Sequence, residues 1–574
     1  MTKMKKGFLL SFITILTLSY ACNRQKGDVS PGSGPIHGSF FNIDTTTRGI
    51  DLPMFMENQS WQGNAWRGER INTQMVIWSP KVTGDVYISV SDLTGPGNAL
   101  IEADQINMSS IQYVMTDEFA EGCGKTGIQS YDSSLVADVL HPLETPIVLM
   151  AGSPQLMWVS IDIPQDALPG QYGGIIHIGK NRKRGIEFEI MVEVMSPELH
   201  APQHWSFHLD LWQNPYAEAR YFDVEPWTTE HFEKMRPTMT MLANAGQKCV
   251  TTTITDQPWG GQTFDPFQSM VSKTRNRDGG WTYNYKVFDS WVEFAMECGI
   301  REQINCYSMV SWTNGYSYFN EISGTDTMVT CKPGSIEYNQ IWSPFLSDFH
   351  KHLEEKNWAE ITTISMDERS LEDLKEVVKL VNRLAPGMKI AFAGNYHPEL
   401  DEVLYDLSVA SKHIVPEENL SLRRESGLKT TFYVCCVEQR PNTFTFSNSA
   451  EATLLAWYAA YRQFDGMLRW SYNSWPPDPI NDSRFRRFPA GDTYMVYPGG
   501  LSSVRFERLR EGIQDYEKIR ILKYQLKLED SDISNEKLML LNDQLATFDL
   551  DYLNDHPAHE LVSKGKMVLN QLSE

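Results

Sequence analysis

The chain changes its hydrophobic rhythm near residue 200. From about residue 40 to Pro197, apolar and polar positions alternate with period two in runs punctuated by Gly, Pro, Asn and Asp, the pattern of strands joined by turns. Ile186, Phe188, Ile190, Val192 and Val194 alternate with Glu187, Glu189 and Glu193, which puts apolar groups on one face and carboxylates on the other. Similar runs at 74–78, 86–90, 157–163 and 175–178, without a long helical pattern, predict a β-sandwich. After Pro197, strand-like and helix-like stretches alternate, which predicts a parallel sheet. Strands are expected at 205–211, 249–255, 303–309, 361–366, 389–393, 404–409, 430–435 and 466–472. Between them, sets such as Phe232, Met235, Met239, Leu242 and Ala450, Leu454, Trp457, Tyr461 mark amphipathic helices, the first bent by Pro237. Eight such strands predict a (β/α)8 barrel of TIM type, with distortion expected at the weakly patterned sixth strand. Beyond Ser502, Phe506, Leu509, Ile513 and Tyr516 open a terminal helical extension.

These rhythms divide the chain into a sandwich at 38–200, a catalytic barrel at 201–500 and a helical extension at 501–574. Ahead of them, Lys3, Lys5 and Lys6, an apolar stretch from Phe8 to Leu18 and small residues ending at Ala21-Cys22 have the layout of a signal peptide over 1–21. Leu18-Ser19-Tyr20-Ala21-Cys22 resembles a bacterial lipoprotein cleavage box, with Ser19 where Leu is usual. The expectation is a lipid-bearing Cys22, a Gly/Ser/Pro-rich tether over 22–37, and export to the bacterial outer membrane. The formal charge of −22 argues against a nucleic-acid partner, which calls for a basic face. The seven cysteines after Cys22 have neither CxxC nor Cys/His metal spacing, so neither a disulfide framework, a metal site nor a cofactor is expected. Cys249, Cys306 and Cys435 read as core residues.

Candidate chemistry centres on Asp367-Glu368, which closes the fourth expected barrel strand just before a helix. Acids at the carboxyl end of a barrel strand are catalytic candidates, whereas acids that merely begin a helix serve its dipole. The other strand ends are rich in aromatic and amide side chains: Asp210 and Trp212 at the first, Gln257 at the second, Tyr307 at the third, Asn395 at the fifth, and Trp470, Tyr472, Trp475 and Asp478 at the eighth. Aromatic faces that stack on sugar C–H groups, set among hydroxyl-binding Asp, Asn and Gln, suit a carbohydrate cleft. Ordinary retaining glycosidases hold two carboxyls ~5–5.5 Å apart on separate segments. Neighbours in a strand point to opposite faces, so Asp367 and Glu368 need a bend to address one sugar. Adjacency suits substrate assistance instead, with the sugar's 2-acetamido group as nucleophile.

Asp367-Glu368 at the fourth strand resembles the acid pair of glycoside hydrolase family 123, whose members are exo-acting β-N-acetylgalactosaminidases. Further similarity lies in Leu209-Asp210-Leu211-Trp212-Gln213, Gly491-Asp492-Thr493, Tyr497-Pro498-Gly499, Ser503-Val504-Arg505 and the run Leu509 to Tyr516, with Trp66-Arg67-Gly68-Glu69-Arg70 in the amino-terminal part. The resemblance implies a terminal β-GalNAc glycan as substrate and retention of configuration. It also implies that Asp367 orients the acetamide while Glu368 acts as general acid and then base. On that division Glu368 carries the proton and an ionised Asp367 beside it helps keep it there. Arg505, Arg508 and Arg510 read as a solvated, ion-paired helix face outside the site. Two alternatives stay open: a hexosaminidase preferring GlcNAc, and a surface lipoprotein that binds glycans without cleaving them.

Overall fold

The computed structural model describes residues 35–48, 57–117, 133–181, 184–485 and 488–574. The expected leader, Cys22 and nearly all of the expected tether lie outside them. No described helix is long and apolar enough to cross a membrane.

The amino-terminal part is a sandwich of two sheets. One runs in the order His37–Phe41, Arg70–Trp78, Gln155–Asp162, Ile106–Asp117, Ser133–Pro142 and Ser502–Ser503; the other runs Ser60–Arg67, Arg184–Glu198, Gly170–Asn181, Leu93–Thr94 and Leu100–Ile101. Period-two alternation does the work expected of it: Phe188, Ile190, Val192 and Val194 point inward to meet Met75 and Val159 of the facing sheet.

The second part is an eight-stranded parallel sheet rolled into a nearly closed barrel with helices outside. Its strands are His208–Leu211, Cys249–Thr253, Gln303–Tyr307, Thr362–Asp367, Lys389–Gly394, Asp406–Ala410, Lys429–Tyr433 and Gly466–Arg469. The irregularity expected at the sixth strand lies elsewhere, since Asp406–Ala410 pairs on both sides. It sits between strands one and two, which share no ladder: one parallel bridge, with Lys248 N–H on Leu209 O at 3.0 Å, joins them, and side chains stitch the rest. Gln247 accepts from Leu211 N at 3.0 Å and donates to the Leu211 and Cys249 carbonyls at 3.2 and 2.8 Å. Gln213 bonds the same two carbonyls and accepts from Thr251 N at 2.9 Å. The fifth strand is followed only by the short 3-10 turn Pro398–Leu400 rather than a helix.

Two loops of the barrel carry an inserted sheet that the sequence reading did not anticipate. Strands Ser272–Arg275 and Trp281–Asn284, after barrel strand two, join Gly315–Asn320 and Thr325–Thr330, after strand three. This sheet braces one side of the barrel mouth.

The carboxyl-terminal helices do not form an appendage. Ser502–Ser503 adds an antiparallel strand to the sandwich through Leu140 and Val139, and the helix Val504–Glu529 follows directly. Arg505 and Arg508 are only 4% and 1% exposed, which corrects the expected solvated face. Arg505 Nε meets Asp138 at 2.9 Å, Arg508 pairs with Asp44 and Glu511, and Lys518 meets Glu69 at 2.6 Å. Arg510 is half-buried on the same helix. These are cross-domain welds, because Asp44, Glu69 and Asp138 belong to the sandwich.

Candidate active site

The fourth barrel strand alternates as a barrel strand should. Ile364 and Met366 are fully buried against the outer helices. Thr363 and Ser365 face the barrel interior, their hydroxyls 2.8 Å apart, with Thr363 Oγ1 donating to Asn305 at 2.7 Å. Asp367 continues the inward row at the strand's carboxyl end. Continued alternation would send Glu368 outward with Met366. Instead Glu368 takes a left-handed backbone with φ of +48°, its N–H held by the Ala393 carbonyl at 2.8 Å. That turn is the bend adjacency demands, and both acids line one pocket.

Each carboxylate has its own donor. Trp312 Nε1 donates to Asp367 Oδ2 at 3.2 Å, and the Tyr433 hydroxyl donates to Glu368 Oε1 at 3.0 Å. Arg369 stacks its guanidinium 5.4 Å from the centre of the Trp312 ring and donates through Nε to the Asp367 carbonyl at 2.9 Å. Trp312 is held in turn by its backbone N–H on Pro258 O at 2.8 Å, in the loop that leads into the inserted sheet. The Asp367 carboxyl is pushed up to about 8, by burial first and by the charge of Glu368 second, with Arg369 and the Trp312 N–H pulling the other way. Asp367 is half-buried at the strand end, and Glu368 beside it is exposed.

The pocket has a volume of about 300 Å³. Trp212 and Trp259 form one wall, stacked 4.7 Å apart at 25°, with Tyr307 packed behind both at 4.6 and 5.0 Å. Trp259 Nε1 is buried without a hydrogen-bond partner among the described residues. Trp470 and Phe488 line the opposite side with their rings 5.3 Å apart, and Trp470 Nε1 donates to Asp492 at 3.3 Å. Asp492 also pairs with the fully buried Arg469 at 2.9 Å, so the Gly491-Asp492-Thr493 segment orients the Trp470 wall. Leu468, Cys435, Cys436 and Val437 complete the apolar lining. Cys436 is disulfide-bonded, a pairing that the cysteine spacing does not imply. The Cys435 thiol is pushed up to about 12 by burial first and by Glu438 second, far from nucleophilic.

Of the positions expected to hold substrate, the structure brings Trp212 and Trp470 to the pocket and puts Tyr307 directly behind its wall. The others lie elsewhere. Asp210 is inside the barrel, accepting from Asn305 at 3.0 Å, its carboxyl pushed up to about 7 by burial and then by Asp406. Tyr472 is fully buried with its hydroxyl on Thr238 O at 3.0 Å, and Trp475 is fully buried with its indole N–H on Val496 O at 2.7 Å. Asp478 is exposed and accepts from Asn481 at 3.0 Å. Gln257 and Asn395 are exposed outside the lining, where Gln262 and Ala393 stand instead. The sequence pattern does not single out Tyr433, Gln262 or Phe488, whereas Trp259 and Trp312 stand in the loops that follow the second and third strands, whose ends it marks as candidates. The signal for Tyr433 was available, since it ends the seventh strand as Asp367 ends the fourth.

Among the described residues one group could hold a metal ion: His208, Cys249 and Asp406 bring ligand atoms within 4.8 Å of one another. They begin strands one, two and six, at the end of the barrel away from the pocket. His208 Nε2 and Asp406 Oδ2 already bond at 3.0 Å, and Gln303 donates to the same oxygen at 2.7 Å, as expected of a paired buried network.

Residues 212–522 match the family model for the glycoside hydrolase 123 catalytic domain, and residues 51–180 match that for the glycoside hydrolase 123 N-terminal domain. No curated protein matches the chain. Among solved structures, a family 123 glycoside hydrolase from Clostridium perfringens, studied for glycolipid glycan hydrolysis, superposes with a TM-score of 0.83 at 26% identity, covering 94% of this chain and 97% of that one. A family 39 glycoside hydrolase from Bacteroides cellulosilyticus WH2 reaches a TM-score of only 0.34 at 10% identity, covering 81% and 82%, too little to carry an argument. With its catalytic-domain match spanning more than half of its length, this chain belongs to glycoside hydrolase family 123.

Proposed function

We propose that the chain is a retaining, exo-acting β-N-acetylgalactosaminidase that uses the substrate's own 2-acetamido group as nucleophile. The observation that carries the reading is the left-handed turn at Glu368, which points two adjacent acids into one pocket and gives each a separate hydrogen-bond donor. The acetamide oxygen attacks the anomeric carbon as the bond to the leaving oxygen breaks, and Glu368 supplies the leaving oxygen's proton. An oxazolinium ion remains, its N–H held by Asp367. Water then attacks the same carbon from the vacated face, Glu368 takes its proton, and the acetamide is restored with net retention. Burial and the charge of Glu368 push the Asp367 carboxyl up, and an acetamide N–H donated to Asp367 acts the other way, favouring its ionised form when substrate is bound. The Trp212–Trp259 wall suits the acetamide methyl and a sugar face, in a cavity of single-residue size. A glycolipid glycan is the substrate class suggested by the Clostridium perfringens relative. An outer-membrane lipoprotein anchored at Cys22 fits such a role; loss of radiolabelled fatty acid in Cys22→Ser tests it, and full labelling of that variant refutes it.

The activity is tested with aryl β-glycosides of GalNAc, GlcNAc and galactose between about pH 5 and pH 8. Cleavage of the β-GalNAc substrate above the other two is expected. A GlcNAc preference would favour a hexosaminidase, and binding without turnover would overturn the enzymatic reading. Glu368→Gln should lose most activity toward poor leaving groups and much less toward activated ones, which need little protonation.

A further inference from the structure

The loop that leaves the second barrel strand puts one amide, Gln262, into the wall of the acid-pair pocket. Gln262 is half-buried and makes no hydrogen bond among the described residues. Its loop is nonetheless tied down on both sides. Before it, Gly260 N–H donates to Gln257 O at 2.9 Å and Gln257 N–H to Phe267 O at 2.8 Å, while the Trp259 ring packs on Phe267 at 4.9 Å. After it, Thr263 Oγ1 donates to Asp265 O at 2.7 Å, and Arg220 pairs with the Asp265 carboxylate at 2.8 Å while donating to Trp475 O at 3.0 Å. An amide on a backbone fixed in this way, with its own bonding capacity unused, is preorganised for a ligand.

The other polar side chains that line the pocket are committed. Trp312 Nε1 is on Asp367, the Tyr433 hydroxyl on Glu368 and Trp470 Nε1 on Asp492. The Nε1 atoms of Trp212 and Trp259 are buried, and the Cys435 thiol is a weak hydrogen-bonding group. A sugar ring in this pocket divides its groups in the same manner. On the proposed mechanism its acetamide goes to Asp367 and the anomeric carbon, and its leaving oxygen to Glu368. The hydroxyls at C3, C4 and C6 remain, and a hydroxyl enclosed by an apolar wall without a partner weakens binding. An amide both donates and accepts, so it serves a hydroxyl in either role.

We infer that Gln262 is a specificity-determining residue, its amide hydrogen-bonded to one hydroxyl of the terminal sugar, at C3, C4 or C6. The inference rests on the proposed reading that a sugar ring fills this pocket.

The test measures kcat/KM of the parent, Gln262→Ala and Gln262→Met on aryl β-GalNAc and its 3-, 4- and 6-deoxy analogues. Comparing enzymes on one substrate at a time cancels the change in intrinsic reactivity. Gln262→Ala is expected to lose about three- to tenfold on the complete sugar, the effect of one neutral hydrogen bond, and less than about twofold on the one analogue that lacks the partnered hydroxyl. Gln262→Met, which keeps the length of the side chain without its amide, should match Gln262→Ala. An equal loss on all four substrates, or no loss on any, overturns the inference, as does full activity of Gln262→Met. The same comparison is made by isothermal titration calorimetry with free GalNAc and its three deoxy forms. Binding that depends on Gln262 and on one hydroxyl, without turnover, upholds the assignment while contradicting the proposed activity. A parent that neither cleaves nor binds the sugar overturns both.

Discussion

Glu368 is one residue in an uncommon backbone conformation, and it decides whether two neighbouring acids can reach the same bond. A left-handed non-glycine residue costs of order 1–3 kcal/mol and persists only where the surroundings fix it, here through the Ala393 carbonyl and the Tyr433 hydroxyl. Trp312 does for Asp367 what Tyr433 does for Glu368. Trp312→Phe keeps an aromatic ring under Arg369 but removes the N–H from Asp367, so kcat should fall about 10- to 100-fold, the ~1.5–3 kcal/mol of a charge-assisted hydrogen bond, with a smaller change in KM. Asp367 also predicts a stability signature. Its folded-state value of about 8 lies above the ordinary 3.8, so the stability it contributes is fully present below about pH 4 and is lost as pH rises through 8. Asp367→Asn, which cannot ionise, should melt a few degrees above the parent at pH 9, with the gap closing toward pH 4; differential scanning calorimetry decides. The acid pair was legible in the sequence because a strand followed by a helix fixes where its last residue stands. The aromatic rim was legible only in part. Trp212 and Trp470 reach the pocket, whereas Tyr472 and Trp475, read from the same local pattern, fold back into the core. A Trp or Tyr just past a strand looks alike in sequence whichever way its loop turns.

At the scale of elements, the eight barrel strands were readable because strands buried on both faces appear as short apolar runs bounded by turns. Their seam was not. Beyond a single backbone bridge, strands one and two are joined by the amides of Gln213 and Gln247, and nothing in local periodicity announces that a glutamine will stand in for a ladder. Gln247→Ala should leave backbone groups of Leu211 and Cys249 with fewer partners and cost about 2–3 kcal/mol, measurable as a fall in denaturant midpoint without a change in slope. The inserted sheet had left traces in the alternating pairs Trp281 and Tyr283, and Tyr316 and Tyr318. Strands of four to six residues inside loops are too short for period two to stand out. Their consequence is functional, because the loop that holds Trp312 over Asp367 runs straight into this sheet.

At the scale of the molecule, sandwich, barrel and terminal helices are fastened into one body. Arg505 holds Asp138 across 367 positions of sequence, and Tyr497 donates to the same carboxylate at 2.6 Å. Separation of that order is why a charged helix face read as solvated when its partners are in the other domain. Breaking such a buried pair strands a charge, so Arg505→Ala should cost about 3–5 kcal/mol and lower one common melting transition rather than splitting it in two. Two resolved transitions, with the sandwich melting alone, would show the weld to be incidental. The frame thus holds the fourth and seventh strand ends, and with them Glu368 and Tyr433, in fixed register. The central claim remains that the substrate supplies its own nucleophile, and it is tested most directly by kcat/KM across aryl β-GalNAc substrates whose acetamide methyl carries zero to three fluorines. Participation predicts a steady decline of about 10²-fold over the series, ~2.7 kcal/mol of lost transition-state stabilisation as the carbonyl oxygen becomes less nucleophilic. Rates that stay level from acetamide to trifluoroacetamide would contradict it.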